Sequence, residues 1–329
     1  MILSLLFSSL VLCTAFGIGY AVRRGGICSV AAARQSILRR HHVRLRAFLI
    51  TACWAGAIVL PLAWMAPEVV HLSPAYPVTP LVLLGGALYG VGAYFNGACA
   101  FGTLGHLAGG DTNFLGTLAG AFAGALTASL VGAGQQQMHA SPLLEPGPFP
   151  LLIWLTFVSV AIVACLKRVR RQRRLVTAVD LRNWRLDTGA ALLIIGVGGG
   201  LLYAVAGKWT YMSIISHRAA ALVVHDGSSL GMAATLSALA ALAGAVFAAL
   251  RAGHFRLMSP RPLPAAMKLL GGAAMGFGAA IIPGGNDVML LYGVPSAAGH
   301  AIAAYAAMMA ALCALFAIKA RLRRKSRCG

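Results

Sequence analysis

Nine apolar segments, each long enough to cross a lipid bilayer as an α-helix, constrain the fold of this chain more than any other feature. The hydrocarbon core of a bilayer is about 30 Å thick, and a helix needs about 20 apolar residues to cross it. The predicted spans are residues 2–22, 47–66, 81–97, 114–134, 151–166, 188–207, 228–250, 265–283 and 297–318. We therefore predict an all-α polytopic membrane protein with about nine transmembrane helices.

The composition excludes the soluble classes of protein. Of the 329 residues, 59% are hydrophobic and only 10% are charged, whereas soluble domains carry about 25% charged residues. A soluble enzyme or a disordered chain is therefore excluded. The net charge of +20 points to nucleic acid in a soluble protein, but here the basic residues lie between apolar runs, as in polytopic membrane proteins. We expect the lipid bilayer as a partner, and no nucleic acid.

The distribution of basic residues predicts the orientation in the membrane. All but two of the 27 Lys and Arg residues lie on one side of the nine-span arrangement. They occupy the loops 23–46 and 167–187, the stretch 251–268 and the C-terminal tail, whereas the loops 67–80 and 135–150 contain none. Loops rich in Lys and Arg stay in the cytoplasm. The sequence therefore predicts a bacterial inner-membrane protein with its N-terminus outside and its C-terminus in the cytoplasm.

The two exceptions to this charge rule are Lys208 and Arg218, which follow the sixth predicted span. One interpretation is that both side chains extend to the membrane interface and have no further role. The other is that they form an electropositive vestibule on the outer side, which would concentrate an anion before it enters the protein.

An internal repeat relates the two halves of the chain. Residues 84–107 align without gaps with residues 270–293, and residues 20–35 align with residues 203–218. The charge-based orientation gives the paired spans opposite directions, so we predict two inverted four-span repeats joined by a connecting helix. The predicted divisions are 1–134 (first repeat), 135–187 (outer loop, fifth span and basic loop), 188–320 (second repeat) and 321–329 (basic tail). Inverted repeats are a transporter architecture, with the substrate site where the repeats meet.

Each half also contains two apolar stretches that are too interrupted for a continuous helix. They are residues 25–29 and 96–102 in the first half and residues 209–213 and 283–287 in the second. Irregular backbone at membrane depth occurs only where it is buried in protein or lines a cavity. Short half-helices that begin at such breaks direct backbone N–H groups at the gap, which favours an anion there. We predict broken or re-entrant half-helices at the centre of the molecule.

Three motifs at these breaks resemble those of the YeeE/YedE sulfur-transport family, whose members include bacterial thiosulfate uptake proteins. The motifs read GGICSVAAAR at 25–34, GVGAYFNGACAFG at 90–102 and MGFGAAIIPGGN at 275–286. The resemblance implies a path in which three cysteines pass thiosulfate along through S–H hydrogen bonds. Cys28 and Cys99 match the first two of these cysteines. The third position is Gly285 here, which predicts a wider constriction with one fewer thiol.

The residues predicted to form the substrate pathway are Cys28, Cys99, Gly285, Asn286, Tyr211 and Asn96. Tyr211 is included because the alignment pairs it with Cys28. Asp287 is predicted to be either a helix cap or a proton carrier, since a carboxylate inside a membrane is usually functional. The alternative for any single cysteine in an apolar run is inert packing. The cysteine spacing matches no metal site and the chain has no phosphate-binding loop, so no metal or cofactor is expected.

These observations lead to one function and two alternatives. The leading hypothesis is a transporter, not an enzyme, that passes a small sulfur-containing anion through a central constriction. A different class is a membrane-embedded sulfur relay that accepts sulfane sulfur covalently on Cys28 or Cys99. The third class is a purely structural subunit of a membrane complex. The breaks at matching places in the two repeats argue against it. A cytoplasmic sulfur-carrier protein is considered as a partner.

Overall fold

The computed structural model of the chain describes residues 2–133, 137–175, 186, 188–224 and 231–328. Among these residues, nine helices are long and apolar enough to cross a membrane. No β-strand occurs in the described ranges, apart from two isolated bridges. The predicted all-α polytopic membrane fold is therefore confirmed. Residues 176–185 and 187 of the predicted basic loop 167–187 lie outside the described residues.

The described helices number thirteen. They are α1 (Ile2–Gly25), α2 (Ser29–Leu38), α3 (Val43–Met65), α4 (Pro80–Asn96), α5 (Ala100–Ala108), α6 (Leu115–Leu130), α7 (Pro148–Leu175), α8 (Thr188–Ala206), α9 (Tyr211–Val224), α10 (Met232–Arg251), α11 (Pro262–Ile281), α12 (Asn286–Val288) and α13 (Gly299–Cys328). A 3₁₀ turn, Thr112–Phe114, precedes α6, and a π-helical turn, Met289–Gly293, continues α12.

The long helices correspond one by one to the predicted spans, with two clear differences in length. The fifth and ninth spans were predicted to end at residues 166 and 318, but α7 continues to Leu175 and α13 to Cys328. Both extensions are rich in Lys and Arg, which favour helix as strongly as most apolar residues do. The helices therefore continue after their apolar segments end, and α13 passes through residue 320 into the predicted tail without interruption.

The helices contact each other closely wherever glycine faces a neighbouring backbone. The clearest case is the crossing of α6 and α11. A Cβ atom at Gly124 would lie 1.9 Å from the carbonyl oxygen of Ala273, and one at Gly276 would lie 2.0 Å from that of Ala121. Small residues allow such close approach, and it supplies van der Waals contact where lipid removes the hydrophobic drive for helix association.

The helix pairings are those that a two-fold axis between the halves would produce. Helix α1 packs on α10 and α3 packs on α8, while α6 packs on α11 and α13 packs on α4. The helices α1 and α8, and likewise α4 and α11, contact each other directly. Helix α7 packs mainly on α3, as expected for a connecting span at the edge of the bundle. The inverted repeat, with its boundaries, stays a prediction that these contacts support.

The bundle has two chemically different ends. At the basic end, the loop 109–114 is joined to the loop 252–261 by hydrogen bonds from Arg256 N to Gly109 O (3.0 Å) and from Met258 N to Gly110 O (2.9 Å). At the opposite end, Ala75 and His139 exchange two backbone hydrogen bonds of 2.9 Å. The basic end also holds the turn 39–42 and the C-terminal part of α13. By the charge rule, it is the end predicted to face the cytoplasm.

Candidate functional site

Helices are interrupted at all four predicted places, and a short helix begins after each interruption. The residues immediately before α2, α5 and α12 are Cys28, Cys99 and Gly285, and all three have extended backbone. Thr210 holds the same position before α9. The carbonyl of each accepts a hydrogen bond of 2.8–3.0 Å from the N–H four residues later. We call α2, α5, α9 and α12 with its π-turn the half-helices, and these four residues the half-helix starts.

The sequence repeat located three of the four half-helix starts. The alignment of residues 84–107 with 270–293 pairs Cys99 with Gly285, and both directly precede a half-helix. The other alignment pairs Cys28 with Tyr211, but α9 begins at Tyr211 and the residue before it is Thr210. An ungapped alignment cannot detect that the turn before α9, residues 207–210, is one residue longer than the turn before α2, residues 26–28. Thr210 is therefore the structural counterpart of Cys28.

Two glycines produce the turns in the first half. Gly26 (φ +58°) and Gly97 (φ +75°) each lie two residues before a cysteine and have left-handed backbone. Only glycine adopts this conformation without steric cost. The Gly-x-Cys spacing that both motifs share is thus required to reverse the chain just before each thiol.

The two cysteines at the half-helix starts, Cys28 and Cys99, lie against each other's helix start. The backbone N–H of Ser29, the first residue of α2, donates to Cys99 Sγ at 3.2 Å. The N–H of Cys99 donates to Cys28 Sγ at 3.4 Å. Cys99 is fully buried and Cys28 is partly exposed. Both sulfur atoms therefore lie where backbone N–H groups converge.

Asn286 joins the second half to this pair. Its Oδ1 accepts hydrogen bonds from Tyr89 OH (2.9 Å) and from the backbone N–H of Ala100 (3.2 Å). Its Nδ2 donates to Ser29 Oγ at 3.3 Å. The hydroxyl of Tyr211 donates to the carbonyl of Ala100 at 3.1 Å. Four half-helices and α4 thus meet within a few hydrogen bonds of each other.

The side chain of Asn96, a predicted pathway residue, forms hydrogen bonds within the protein. Its amide donates to Ala98 O (2.8 Å) and Thr103 Oγ1 (2.9 Å), which uses both amide protons, and its Oδ1 accepts from Thr117 at 2.6 Å. Its carbonyl accepts from Lys268 Nζ. These bonds hold the break between α4 and α5 in place, and they leave the side chain no N–H to offer a substrate.

Asp287 lies on the other side of Asn286 and is fully buried. Its Oδ2 accepts a hydrogen bond of 2.6 Å from Tyr203 OH, which also lies 3.2 Å from Thr210 Oγ1. The residue that directly precedes α12 is Gly285, so neither Asn286 nor Asp287 occupies the capping position. Asp287 instead belongs to the first turn of α12.

A cavity of about 920 Å³ extends from the basic end to Cys28. Six basic side chains line it, together with apolar residues: Arg23, Arg34, Arg39, Arg44, Lys319 and Arg323. Cys28 and Gly102 lie along its wall, and a Cβ atom at Gly102 would come within 2.8 Å of Cys28 Sγ. The cavity therefore presents concentrated positive charge and leads to a thiol.

Lys208 and Arg218 do not line this cavity. Lys208 lies in the break between α8 and α9, close enough to His300 for the two to interact electrostatically. Arg218 is exposed, about 10 Å along the axis of α9 from Tyr211 by the rise of a helix. An outer vestibule at these two residues stays a prediction.

Aromatic side chains fill the space between the half-helix starts and the opposite end. The rings of Trp209 and Tyr292 lie 5.7 and 5.5 Å from that of Tyr203, and all three residues are buried. Tyr292 OH donates to the carbonyl of Leu72, in the loop of the opposite end, at 3.1 Å. This aromatic layer separates the site from that end.

The chemistry of the site is that of hydrogen-bond donation. Backbone N–H groups, two thiols and several hydroxyls converge at the half-helix starts. In the part of the chain that the structure describes, no three His, Cys, Asp or Glu side chains lie close enough to hold a metal ion. Helix N-termini with such donors are suited to binding an anion.

Comparison with known protein families matches residues 24–314 to the family described as sulphur transport, a range that includes all four half-helix starts. The chain belongs to the sulphur transport family. None of the curated proteins matches it significantly. The match confirms the family resemblance carried by the three motifs. With nine helices among the described residues that are long and apolar enough to cross a membrane, the chain is a multi-pass sulfur transporter by family and architecture.

Sequence reasoning missed several residues of this site. Ser29 and Thr210 lie directly beside predicted residues, and Tyr89 lies within the Gly-rich motif, but a hydroxyl near a motif has no spacing signal of its own. The cavity arginines were counted only as evidence for orientation. Arg34 on α2 and Arg39 directly after its end are five residues apart, and this spacing gives no sign of a shared cavity with α13.

Proposed function

We propose that this protein transports a small sulfur-containing anion, such as thiosulfate, across a bacterial inner membrane through the half-helix starts. The observation that carries the proposal is the position of Cys28. This residue lies at the inner part of a strongly basic cavity, and its thiol contacts the start of a second half-helix that carries another thiol. Positive charge, backbone N–H groups and soft donors are thus arranged in series.

Each part of this series has a separate physical role. The basic cavity raises the local concentration of an anion. The half-helix N–H groups replace part of the hydration shell that the anion loses inside the protein. Neutral thiols are weak donors, so they bind the anion without the deep trapping that a fixed Lys or Arg at the constriction would cause. Conduction requires binding that is strong enough to admit the anion and weak enough to release it.

The asymmetry between the two ends indicates a direction and a conformational state. If the basic end faces the cytoplasm, as the charge rule predicts, the cavity is the route by which the anion leaves the site. The layer of Trp209, Tyr203 and Tyr292 then closes the route from outside. Uptake requires that this layer move while the half-helix starts hold the anion. A cytoplasmic sulfur-carrier protein would receive the anion at the basic end.

Uptake of radiolabelled thiosulfate into proteoliposomes tests the proposal. We expect Cys99→Ala to lower uptake by about 10-fold or more, because a hydrogen bond to a charged group is lost. Cys313→Ala is the matched control, since Cys313 is a partly buried cysteine of α13 outside the half-helix starts. If both variants transport equally, the thiols are not part of the pathway.

The same samples distinguish transport from a covalent sulfur relay. In a relay, the thiolate of Cys28 or Cys99 attacks the sulfane sulfur of thiosulfate, the S–S bond of thiosulfate breaks and sulfite leaves. The product is a persulfide, which intact-mass measurement detects as one added sulfur atom. Transport leaves both thiols unmodified while label accumulates inside the vesicles. A persulfide without accumulation of label would replace the transporter by the relay.

A further inference from the structure

The four half-helix starts differ in their side chains. Cys28, Cys99 and Thr210 each bear a side chain with an S–H or O–H group, but Gly285 bears none. A Cβ atom at Gly285 would lie 2.5 Å from Asp287 Oδ1 and 3.4 Å from Tyr89 OH. The carboxyl group of Asp287 therefore occupies the space that a side chain at the fourth start would take.

The two oxygens of this carboxyl group are in different states. Oδ2 accepts the hydrogen bond from Tyr203, whereas Oδ1 is buried and has no hydrogen-bond partner of normal geometry in the described structure. Buried polar atoms are nearly always paired, so an unpaired one calls for an explanation. A protonated carboxyl group explains the unpaired atom, because Oδ1 then carries a proton and is a hydrogen-bond donor that needs an acceptor from a ligand.

Full burial favours this neutral form. The hydroxyls of Thr210 and Tyr203 and the N–H groups of Asp287 and Val288 act on the carboxyl in the opposite sense, but none of these groups is a cation. Tyr89 of α4, Tyr211 of α9 and Tyr203 of α8 lie close enough to interact electrostatically with Asp287, and the side chain of tyrosine is ordinarily neutral near pH 7. A fully buried carboxylate without a cation is costly. Protonation removes that cost and turns an acceptor into a donor.

Space for a ligand atom lies beside the carboxyl. A void of about 20 Å³ is lined by Asp287, Thr210 and Tyr211 of the second half and by Ala100 and Phe101 of α5. Ile18 and Ala241 provide its apolar wall from α1 and α10. A volume of this size holds one water-sized group. The terminal oxygen or sulfur of a small anion has a similar size.

We propose that Asp287, in its protonated form, is the fourth donor of the anion site, and that transport depends on this proton. The proposal rests on the proposed function and extends it to the control of that site. The O–H on Oδ1 binds the anion, while Oδ2 continues to accept from Tyr203. Loss of the proton leaves a carboxylate that repels the anion. Protonation forms one O–H bond and breaks none in the substrate, so no oxidant or reductant is involved.

The pH profile of uptake has a definite sign under this proposal. Thiosulfate does not change its protonation state near neutral pH, so a pH effect reports on the protein. Uptake is expected to be high at low pH and to fall as the pH rises through the pKa of Asp287. The profile is measured with equal pH on both sides of the vesicle membrane, so that a proton gradient plays no part.

Two substitutions at Asp287 separate a donor from a structural carboxylate. Asp287→Asn keeps an N–H donor that does not titrate, so we expect uptake within about threefold of the wild-type maximum and a flat pH profile. Asp287→Leu removes the donor, and uptake is expected to fall by about 10-fold or more at every pH. Asp111→Asn is the control, because Asp111 accepts two hydrogen bonds from Asn113 near the basic end and should leave the pH profile unchanged.

Several outcomes would overturn the inference. Size-exclusion chromatography and thermal unfolding in detergent first establish that each variant is folded. A folded Asp287→Asn protein that is as inactive as Asp287→Leu would show that the ionised carboxylate is required. A flat profile for the wild type, or an unchanged slope in Asp287→Asn, would show that the proton has no role. Wild-type protein that moves no thiosulfate at any pH would instead refute thiosulfate as the substrate of the proposed transport.

Discussion

The two halves of the molecule use one backbone arrangement for two different chemical environments. In the first half, two thiols at Cys28 and Cys99 lie beside a large basic cavity, and one of them is partly exposed to it. In the second half, the starts at Thr210 and Gly285 lie beside a buried carboxyl group, a water-sized void and a layer of aromatic rings. Each half-helix start provides backbone N–H donors, and the neighbouring side chains determine whether it adjoins the basic cavity or a buried carboxyl group.

This contrast indicates that the two halves offer an anion different kinds of hydrogen-bonding group. The first half presents the partly exposed thiol of Cys28 to the basic cavity. The second half presents a group whose hydrogen-bonding character inverts on protonation. The side chain of Asn286 links them, because it contacts Ser29 and Ala100 of the first half while lying in α12 of the second.

The largest effect is expected from removing the side chain of Asn286, which links the two halves. We expect Asn286→Ala to lower the free energy of unfolding by about 3 kcal/mol or more, because Tyr89 OH and the N–H of Ala100 lose their buried acceptor. Thermal unfolding in detergent measures this loss, and uptake should fall with it. Asn113→Ala is the matched control, since Asn113 is a buried asparagine that accepts from Arg261 N at 2.8 Å near the basic end. Equal loss of uptake per folded molecule in both variants would contradict a linking role.

A second experiment gives the second half a thiol. Gly285 has φ −75°, which any residue adopts, but a Cβ atom there meets the Asp287 carboxyl. Gly285→Cys alone should therefore destabilise the protein by about 1–3 kcal/mol. Combining it with Asp287→Ala should recover stability and give thiosulfate uptake with a flat pH profile. A single Gly285→Cys variant that is as stable as the wild type would show that the carboxyl does not occupy this space.

The smallest expected effect concerns the open side of the first half. Arg34 lines the basic cavity on α2, and we expect Arg34→Gln to lower thiosulfate uptake by roughly two- to threefold at low ionic strength. The difference should shrink as salt screens the charge. Arg256→Gln removes the same charge from a loop at the basic end that does not line the cavity, so it should have little effect. A loss of uptake in Arg34→Gln that does not depend on salt would show that Arg34 acts through packing and not through its charge.

The features predicted correctly are those that depend on neighbours in the chain. The nine spans follow from apolar length, and the four breaks follow from glycine-rich stretches inside apolar runs. The repeat pairs Cys99 with Gly285, which the structure places at matching helix starts. It pairs Cys28 with Tyr211 where Thr210 is the counterpart, because a turn that differs by one residue leaves no trace in an ungapped match.

Contacts between distant segments account for what the sequence did not reveal. Asn286 is 257 residues from Ser29 and 186 from Ala100, and only the crossing of the half-helices brings them together. Asn96 is one of the predicted pathway residues, and its amide protons are used by Ala98 and Thr103. Which partner satisfies a buried amide depends on the three-dimensional path of the chain, and residue type does not determine it.

The order of residues along the chain thus accounts for the membrane fold, the breaks and the two thiols, because apolar length and glycine conformation act locally. The packing of the helices settled which groups share a cavity and which oxygen remains unpaired. The Arg34 and Lys319 side chains face one cavity, and Asp287 fills the space beside Gly285, because helices from both halves cross at those points. Burial and hydrogen-bond partners depend on such crossings, and they decide how each of these groups behaves chemically.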